Sequence, residues 1–243
     1  MISKNQIKFV KSLQQKKQRD IHQCFVVEST KNVLEILQSD YELLHLYATE
    51  HWLSVYNIKY ECTLNVVSEK EIQRISSLKS ASEVLAVVKI PIEQNNIDLK
   101  DVNIVLDDIK DPGNLGTIIR VCDWFGVKNI YCSNQSVDVY NPKVIQSTMG
   151  SISRVEVVYT DIVDLIRNSS NEVKIYAAVM DGVDVNNIKV AENSLIVFGN
   201  ESHGISQEIL SLIKEKITIQ KIGEAESLNV AVSSAIILNK FCV

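Results

Sequence analysis

Short runs of apolar residues alternate with amphipathic stretches along almost the whole chain. Between residues 24 and 90 the runs are CFVVE, KNVLEIL, LLHLYA, LNVVS and EVLAVVKI. Short continuous apolar runs favour strands, whereas apolar residues three or four positions apart favour a helix. The pattern therefore predicts a small α/β unit in this part of the chain.

The polar segment PIEQNNIDLKD follows, which begins with proline and shows no periodicity. We therefore interpret residues 91–101 as a linker between two domains, 1–90 and 102–243. The alternation then restarts. It predicts strands at NIVLD, NIYC, VEVV, VKIYAAV, SLIVFG and KITI, and helices at TIIRVCDWFG, PKVIQSTMG, DIVDLIRN, SQEILSLI and LNVAVSSAIILNK. Several of these strands are apolar throughout, which is typical of a parallel sheet covered by helices on both faces.

Composition and charge narrow the class of protein. The 243 residues are 46% hydrophobic with a net charge of −5, which fits a globular protein and argues against one that coats nucleic acid indiscriminately. The N-terminal sequence lacks the apolar core of a signal peptide and the length of a membrane span, so we expect a cytoplasmic protein that does not bind membranes. The five cysteines form no CxxC pair and the four histidines stand at no ligand spacing beside them, so we expect free thiols and no metal.

The N-terminal segment is locally basic although the whole chain is acidic. Up to residue 19 it contains no acidic residue, and its basic residues are Lys4, Lys8, Lys11, Lys16, Lys17 and Arg19. Phe9, Val10 and Leu13 add an apolar stripe at helical spacing. Two interpretations stand, a solvated helix face or a binding site for a polyanion.

Three glycine-bearing segments follow predicted strands of the second domain, where ligands gather in sheets of this kind. The first, DPGNLGTIIR, has neither the GxGxxG spacing of a dinucleotide fold nor the GK[ST] of a P-loop, and alone it predicts a tight turn capping a helix. The second, FGNESHGIS, holds Glu201 and His203, although a histidine in such a loop is usually an exposed turn residue. In the third, Ser227 and Asn229 begin an apolar helix, where capping explains one of them.

Together, the three segments resemble, in order and spacing, the motifs of the SpoU family of RNA ribose 2′-O-methyltransferases, part of the SPOUT superfamily. The family pattern NxGxxxR is met by Asn114, Gly116 and Arg120, GxExxG by Gly199, Glu201 and Gly204, and ESLNV by residues 226–230. The N-terminal stretch SKNQIKFVKSLQQKKQRDIHQCFVVEST also resembles the family's substrate-binding domain.

This resemblance implies a fold and a cofactor. The expected fold is α/β, a SPOUT-type parallel-sheet domain with a C-terminal trefoil knot, preceded by a small ribosomal-protein-like α/β domain that binds the substrate. The expected cofactor is S-adenosylmethionine, held by backbone groups of Gly199, Ile219 and Leu228, with no metal. The family also forms homodimers whose active site draws on both subunits. The helix LNVAVSSAIILNKF fits such a dimer, although a helix buried within its own domain would be equally apolar.

The resemblance further implies methylation of a ribose 2′-hydroxyl in ribosomal or transfer RNA. The catalytic residues would be Arg120, Asn114, Glu201, Ser227 and Asn229, and the RNA-binding residues Lys4, Lys8, Lys16, Lys17 and Arg19. Because a guanidinium is essentially always protonated, we expect Arg120 to clamp a phosphate and stabilise oxyanion charge. Asn114 would hold Arg120, Glu201 would orient one of these two, and Ser227 and Asn229 would line the pocket. The alternative for Arg120 is a surface ion pair with a carboxylate such as Asp123.

Four positions depart from the family pattern. Gln220 and Lys221 replace proline and methionine before the third motif, Gln146 stands where a basic residue is common, and Ser29 stands where glycine is usual. None is among the residues assigned to chemistry, so we expect an active enzyme. The alternatives are a noncatalytic RNA-binding or ribosome-assembly protein on the same fold, and an oxidoreductase on a Rossmann fold, which the missing fingerprint glycines disfavour.

Overall fold

A computed structural model describes residues 2–59, 61–92 and 97–243, which divide into two compact units. The first unit comprises Met1–Ile92 and Asp138–Ser153, and the second comprises Glu93–Val137 and Arg154–Val243. Residues 93–96 of the predicted linker lie outside the described residues. The division into domains 1–90 and 102–243 therefore stays a prediction.

The first unit is built on a four-stranded sheet in the order β1-β4-β2-β3. Its strands are β1 (Cys24–Glu28), β2 (Leu43–Ala48), β3 (Thr63–Val66) and β4 (Val84–Lys89). Its helices up to β4 are α1 (Lys4–Ser12), α2 (Lys16–His22), α3 (Thr30–Leu37), α4 (Glu50–Val55) and α5 (Glu69–Ile75). β4 is antiparallel to β1 and β2, whereas β2 and β3 are parallel. The strands coincide with the apolar runs, which confirms the α/β prediction for this part of the chain.

The second unit contains a six-stranded sheet in the order β10-β8-β9-β5-β6-β7, and every neighbouring pair is parallel. Its strands are β5 (Val102–Leu106), β6 (Asn129–Ser133), β7 (Glu156–Thr160), β8 (Lys174–Asp184), β9 (Ser194–Phe198) and β10 (Glu215–Thr218). Its helices are α6 (Pro112–Phe125), α8 (Ile162–Arg167), α9 (Gln207–Leu212) and α10 (Val230–Cys242). One buried core joins β5, β8 and β9 to α8 and α9. The predicted parallel sheet is confirmed.

The helix predicted at PKVIQSTMG belongs to the first unit. This helix, α7 (Pro142–Thr148), packs against β1, although its sequence lies between two strands of the second unit. Just before it, Asp138 Oδ2 accepts hydrogen bonds from Nε of Arg19, at 3.0 Å, and from Nη2. Periodicity alone does not show which sheet a helix covers, so the sequence pattern could not reveal this placement.

Helix α6 begins earlier than the sequence pattern indicates. Asp111 is its N-cap and accepts a hydrogen bond of 3.0 Å from the backbone N–H of Asn114. Pro112 occupies the first helical position, where its missing N–H is no loss. The predicted tight turn at GNLG is therefore wrong, since Gly113 and Gly116 lie inside the helix and Asn114 is its third residue.

Ser29, which replaces the family's usual glycine, has a strained backbone. It has φ 81° and ψ 144° at the N-cap of α3, close to a region that is essentially restricted to glycine. Its side chain accepts only a long hydrogen bond, 3.5 Å, from the N–H of Asn32. The backbone at this position therefore favours the glycine that is absent.

The cysteines of the chain are free thiols, as predicted, and burial raises the pKa of Cys24 to about 11. Within the described ranges, no group of histidine, cysteine and acidic side chains is arranged to hold a metal ion. The helices described in these ranges are all too short or too polar to cross a membrane.

Candidate active site

The three motif segments all follow strands of the parallel sheet. The first segment follows β5 and forms the start of α6, the second follows β9, and the third lies between β10 and α10. β5 and β9 are direct neighbours in the sheet. Because all strands run in the same direction, the segments leave the sheet at its carboxyl edge, where ligands bind in open α/β sheets.

A chain of hydrogen bonds joins one side chain from each segment. Asn229 caps α10 by accepting from the N–H of Ala231 at 3.0 Å, and its Nδ2 donates to Asn114 Oδ1 at 2.9 Å. Asn114 Nδ2 in turn donates to Glu201 Oε1 at 2.7 Å. We call these three residues the Asn229–Asn114–Glu201 chain.

The direction of this chain is fixed by chemistry. Backbone N–H groups can only donate, so the amide oxygen of Asn229 must face α10, which leaves its NH₂ for Asn114. The oxygen of Asn114 must then face Asn229, which leaves its NH₂ for Glu201. An ionised carboxylate can only accept, so Glu201 is the natural end of the chain. Capping thus uses the side-chain oxygen of Asn229, and the bond to Asn114 uses its NH₂ group.

Glu201 lies in a tight turn. Asn200 and Gly204 exchange two backbone hydrogen bonds, of 3.0 and 2.9 Å, so residues 201–203 form the tip of the turn. A β-carbon at Gly199 would lie 2.1 Å from backbone atoms of Gly204 and Ile205, which excludes any other residue there. The glycine of the motif is thus required by the close approach of the chain to itself.

The same turn has a second anchor at Asp108, which the sequence analysis missed. Asn200 Nδ2 donates to the Asp108 carbonyl oxygen at 2.8 Å, and His203 Nε2 lies 3.7 Å from Asp108 Oδ2. Lys110 Nζ lies 2.5 Å from Asp108 Oδ1. Asp108 has φ 60°, a conformation that aspartate tolerates better than most residues. The sequence did contain a signal for this residue, because Asp107 and Asp108 form an acidic pair directly after the buried strand β5.

Arg120 stands apart from these bonds. It is exposed and has no hydrogen-bond or ion-pair partner among the residues that the structure describes. It shares the exposed face of α6 with Thr117 and Trp124, and six residues at 100° each place it about 120° around the helix from Asn114. Asp123 pairs with Arg154 instead, with Oδ2 and Nη2 2.8 Å apart, so the alternative of an Arg120–Asp123 pair is wrong.

The third segment is an exposed loop. Every side chain from residue 220 to 229 is exposed, including Gln220, Lys221 and Ser227. Within the described part of the chain, residues 219–228 form no backbone–backbone hydrogen bond, and Ser227 has no side-chain partner. The structure therefore brings together Asn114, Glu201 and Asn229, but neither Ser227 nor Arg120 is bonded to them.

The predicted RNA-binding residues fall into two groups. Lys4 and Lys8 on α1 and Lys16 and Lys17 on α2 are exposed. Arg19 is only 2% exposed and donates to Asp138 and to two backbone carbonyls. Its prediction as an RNA contact does not fit the structure, because its donors are already used inside the first unit.

Comparisons with known proteins agree along the whole chain. The sequence model of the SpoU rRNA Methylase family matches residues 101–239, and that of an MRM3-like substrate binding domain matches residues 4–86. The 23S rRNA (guanosine(2553)-2′-O)-methyltransferase RlmP of Bacillus subtilis (strain 168) is 28% identical over 239 residues, which cover 97% of this chain and 96% of that protein.

Solved structures show the same likeness. A Porphyromonas gingivalis protein, named for the TrmH family of RNA methyltransferases, has a TM-score of 0.90 and 33% identity, covering 99% of this chain and 98% of its own. The AdoMet-bound rRNA methyltransferase of Sinorhizobium meliloti has a TM-score of 0.87 and 25% identity, with coverage of 99% and 95%. Both units of this chain thus have counterparts in single known proteins.

Proposed function

Because the chain belongs to the SpoU rRNA methylase family, we propose that it methylates a ribose 2′-hydroxyl of RNA with S-adenosylmethionine as methyl donor. The observation that carries the proposal is the Asn229–Asn114–Glu201 chain, which joins one residue from each of three segments far apart in sequence. Surface polar contacts add little to stability, so their joint placement is better explained by binding or chemistry.

Ribosomal RNA is the substrate class that we favour. The Bacillus subtilis relative, whose similarity extends over both units, is named as a 23S rRNA guanosine 2′-O-methyltransferase. The N-terminal match to a substrate binding domain supports a large, structured RNA rather than a free nucleotide. Transfer RNA is the alternative substrate that the experiment below must distinguish.

The exposed third loop fits S-adenosylmethionine. Residues 219–228 make no backbone–backbone hydrogen bond within the described ranges, and Ile222 and Leu228 expose 94% and 48% of their surface. A ligand with a flat apolar ring and polar edges would cover those side chains and satisfy the backbone groups. Gly199, Ile219 and Leu228 would hold it through their backbones, as the family resemblance implies.

The residues of this chain would do the remaining work. The bound cofactor supplies an electrophilic methyl group. Arg120 would hold the phosphate beside the target ribose and stabilise negative charge on the 2′-oxygen, because its guanidinium is permanently charged and has no partner among the described residues. The Asn229–Asn114–Glu201 chain would keep the Glu201 carboxylate in a fixed position against the substrate.

RNA capture would be the role of the N-terminal lysines. Lys4 and Lys8 are four residues apart on α1 and so share one face, and Lys16 and Lys17 begin α2. All four ammonium groups are exposed and have no acidic partner among the described residues. Exposed ammonium groups attract phosphates even on a protein with net negative charge.

A homodimer is part of the proposal. On α10, Val232 and Ile236 form an exposed apolar stripe, and Val243, just past the helix end, is exposed as well. Helix α6, which packs against α10, exposes 84% of Trp124. A second copy would cover this surface in an isologous interface, because the same patch faces itself. Arg120 lies one turn from Trp124 and would then complete the site of the other subunit. Sedimentation that shows a monomer at micromolar concentration would contradict the dimer.

The proposal also covers a knot in the chain and the cellular compartment of the protein. A C-terminal trefoil knot is supported by family membership and by the TM-score of 0.90 to a full-length structure. An experimental structure in which the chain after β9 threads no loop would contradict the knot. We place the protein in the cytoplasm, where its RNA substrates are made, and cell fractionation tests this.

The decisive experiment compares 2′-O-methylation across all RNA from cells with and without the gene. We expect one ribosomal methylation site to be lost with the gene and to be restored by purified protein with S-adenosylmethionine. If the lost site is in a transfer RNA, transfer RNA is the substrate instead. If no site changes, and calorimetry detects no cofactor binding, the noncatalytic RNA-binding alternative replaces this proposal.

A further inference from the structure

The reaction proposed above needs a group that accepts the 2′-hydroxyl proton, and the role of that acceptor is still unassigned. Arg120 cannot fill it, because a guanidinium is essentially never neutral in a protein. Glu201 already accepts a hydrogen bond from Asn114, and carboxylates in general are weak bases at neutral pH. Efficient proton acceptors titrate close to the working pH, which is typical of imidazole.

His203 is the histidine that the second unit carries, and the other histidines, His22, His45 and His51, all lie between residues 1 and 92. It is in the same three-residue turn as Glu201, so both side chains leave the sheet at its ligand edge. Glu201 contacts Asn114 in the first turn of α6 while His203 faces Asp108 just after β5, so the turn meets the first motif region at two points. With 59% of its side chain exposed, His203 is open to a substrate.

Resting on the proposed function, we propose that His203 is the general base that accepts the ribose proton, with Asp108 as its positioning residue. Asp108 Oδ2 faces Nε2 of His203 at 3.7 Å, which is longer than a hydrogen bond. Catalytic hydrogen bonds are often long before substrate binds and then tighten. A carboxylate on that side favours the tautomer with hydrogen on Nε2, which leaves the lone pair of Nδ1 to take the proton.

The step balances without any further reactant. The hydroxyl O–H bond breaks and its proton moves to Nδ1, while the ribose oxygen forms a bond to the methyl carbon. The methyl–sulfur bond breaks and its electron pair stays on sulfur, so the positive charge passes from the sulfonium to the imidazolium. Asp108 stabilises that imidazolium, and the proton is then lost to water.

Two further charged groups, Lys110 and Glu201, belong to the surroundings of Asp108 and His203. Lys110 Nζ contacts Asp108 Oδ1, so one carboxylate oxygen is shared with an ammonium group and the other faces the histidine. Glu201 adds a second carboxylate in the same turn, and its Oε1 accepts a hydrogen bond from Asn114. Asp108 is therefore the carboxylate that faces His203, whereas Lys110 contacts Asp108 and Glu201 contacts Asn114.

The test is the pH dependence of single-turnover methyl transfer at saturating RNA and cofactor. In the wild type, the rate should fall as acid protonates histidine. His203→Ala should lower the rate at pH 8 by about a hundredfold, the common contribution of a general base, abolish the acidic limb of the profile and regain rate on addition of imidazole. Arg120→Ala should be slow but keep that limb.

Two further measurements distinguish a general base at His203 from a residue that only supports the structure. Nitrogen chemical shifts of the His203 ring in the free protein should show hydrogen on Nε2, and Asp108→Asn, which tolerates the same backbone conformation, should reduce this preference. His51→Ala is the matched control, because His51 forms an exposed pair with Glu83 at 2.8 Å in the first unit and should not affect the rate. An active wild type with an unchanged His203→Ala profile overturns this proposal alone, whereas an inactive wild type overturns the proposed function with it.

Discussion

The side chain of Asn229 serves two segments at once, because it caps helix α10 with its oxygen and donates its Nδ2 to Asn114 at 2.9 Å. Asn114 is itself the third residue of α6, so the bond joins the starts of two helices. A rotation of either helix would break it. The geometry of the candidate active site is therefore coupled to the packing of α6 against α10.

Replacing Asn114 with aspartate should disable this arrangement while preserving the fold. An ionised aspartate cannot donate to Glu201 and would place a second negative charge 2.7 Å away. Turnover at saturating RNA should fall about tenfold or more, since a misplaced active-site group commonly has such effects. Thermal unfolding should change little, and Asn171→Asp in an exposed turn is the control. Unchanged turnover in Asn114→Asp would show that the hydrogen-bond chain does not matter for the reaction.

Removing the guanidinium of Arg120 should affect chemistry far more than cofactor binding. Arg120→Ala should slow methyl transfer about a hundredfold or more, as expected when a donor to a developing oxyanion is lost, while calorimetry gives the same affinity for S-adenosylmethionine. Arg167→Ala removes another exposed arginine from the end of a helix, α8, and should be neutral. Near-normal turnover of Arg120→Ala would refute its catalytic role.

Mixing two inactive variants tests whether Arg120 acts across the dimer. If Arg120 of one subunit serves Asn114 of the other, a mixed dimer of Arg120→Ala and Asn114→Asp has one fully intact site. Random exchange makes about half of the dimers mixed, so about a quarter of the wild-type activity should return. If each site uses its own Arg120, no activity returns. Light scattering before and after mixing confirms that subunits have exchanged.

Much of the fold was predictable because a parallel sheet has a plain signature. Strands such as SLIVF are apolar on both faces, and the structure places all five residues of β9 in the interior. The start of α6 was not predicted, because glycines at 113 and 116 suggest a turn. The cap at Asp111 and proline at position 112 outweigh that preference, since they act on the helix terminus itself.

The residues of the candidate site could be predicted from the sequence only where a residue type has one common local role, such as helix capping. The sequence analysis expected either Ser227 or Asn229 to cap the last helix, and the structure shows that the cap is Asn229. Asp108 was missed because its importance comes from a backbone conformation and from neighbours 92 and 95 positions away, Asn200 and His203. The burial of Arg19 was missed for a similar reason, since Asp138 is 119 residues distant.

Relieving the strain at Ser29 should stabilise the first unit. At φ 81° and ψ 144° a residue other than glycine costs about 1–3 kcal/mol, whereas the added freedom of glycine in the unfolded chain costs about 0.5–1 kcal/mol. Ser29→Gly should therefore raise the free energy of unfolding by about 1 kcal/mol in a denaturant titration. Ser39→Gly, at a position with negative φ, is the control and should be neutral or destabilising. A destabilised Ser29→Gly would mean that the hydrogen bond to Asn32 outweighs the strain.

The basic N-terminal residues should separate into RNA contacts and one structural arginine. Lys16 and Lys17 are exposed, so replacing both with alanine should weaken RNA binding and reduce the slope of log affinity against log salt by about 1 to 2, while turnover at saturating RNA stays near normal. Arg19→Ala should instead lower the free energy of unfolding by about 3–5 kcal/mol, because it leaves Asp138, 15% exposed, without its partner. Filter binding across a salt series and denaturant unfolding measure the two effects. An Arg19→Ala protein of normal stability with a reduced salt slope would restore Arg19 to the RNA-binding surface.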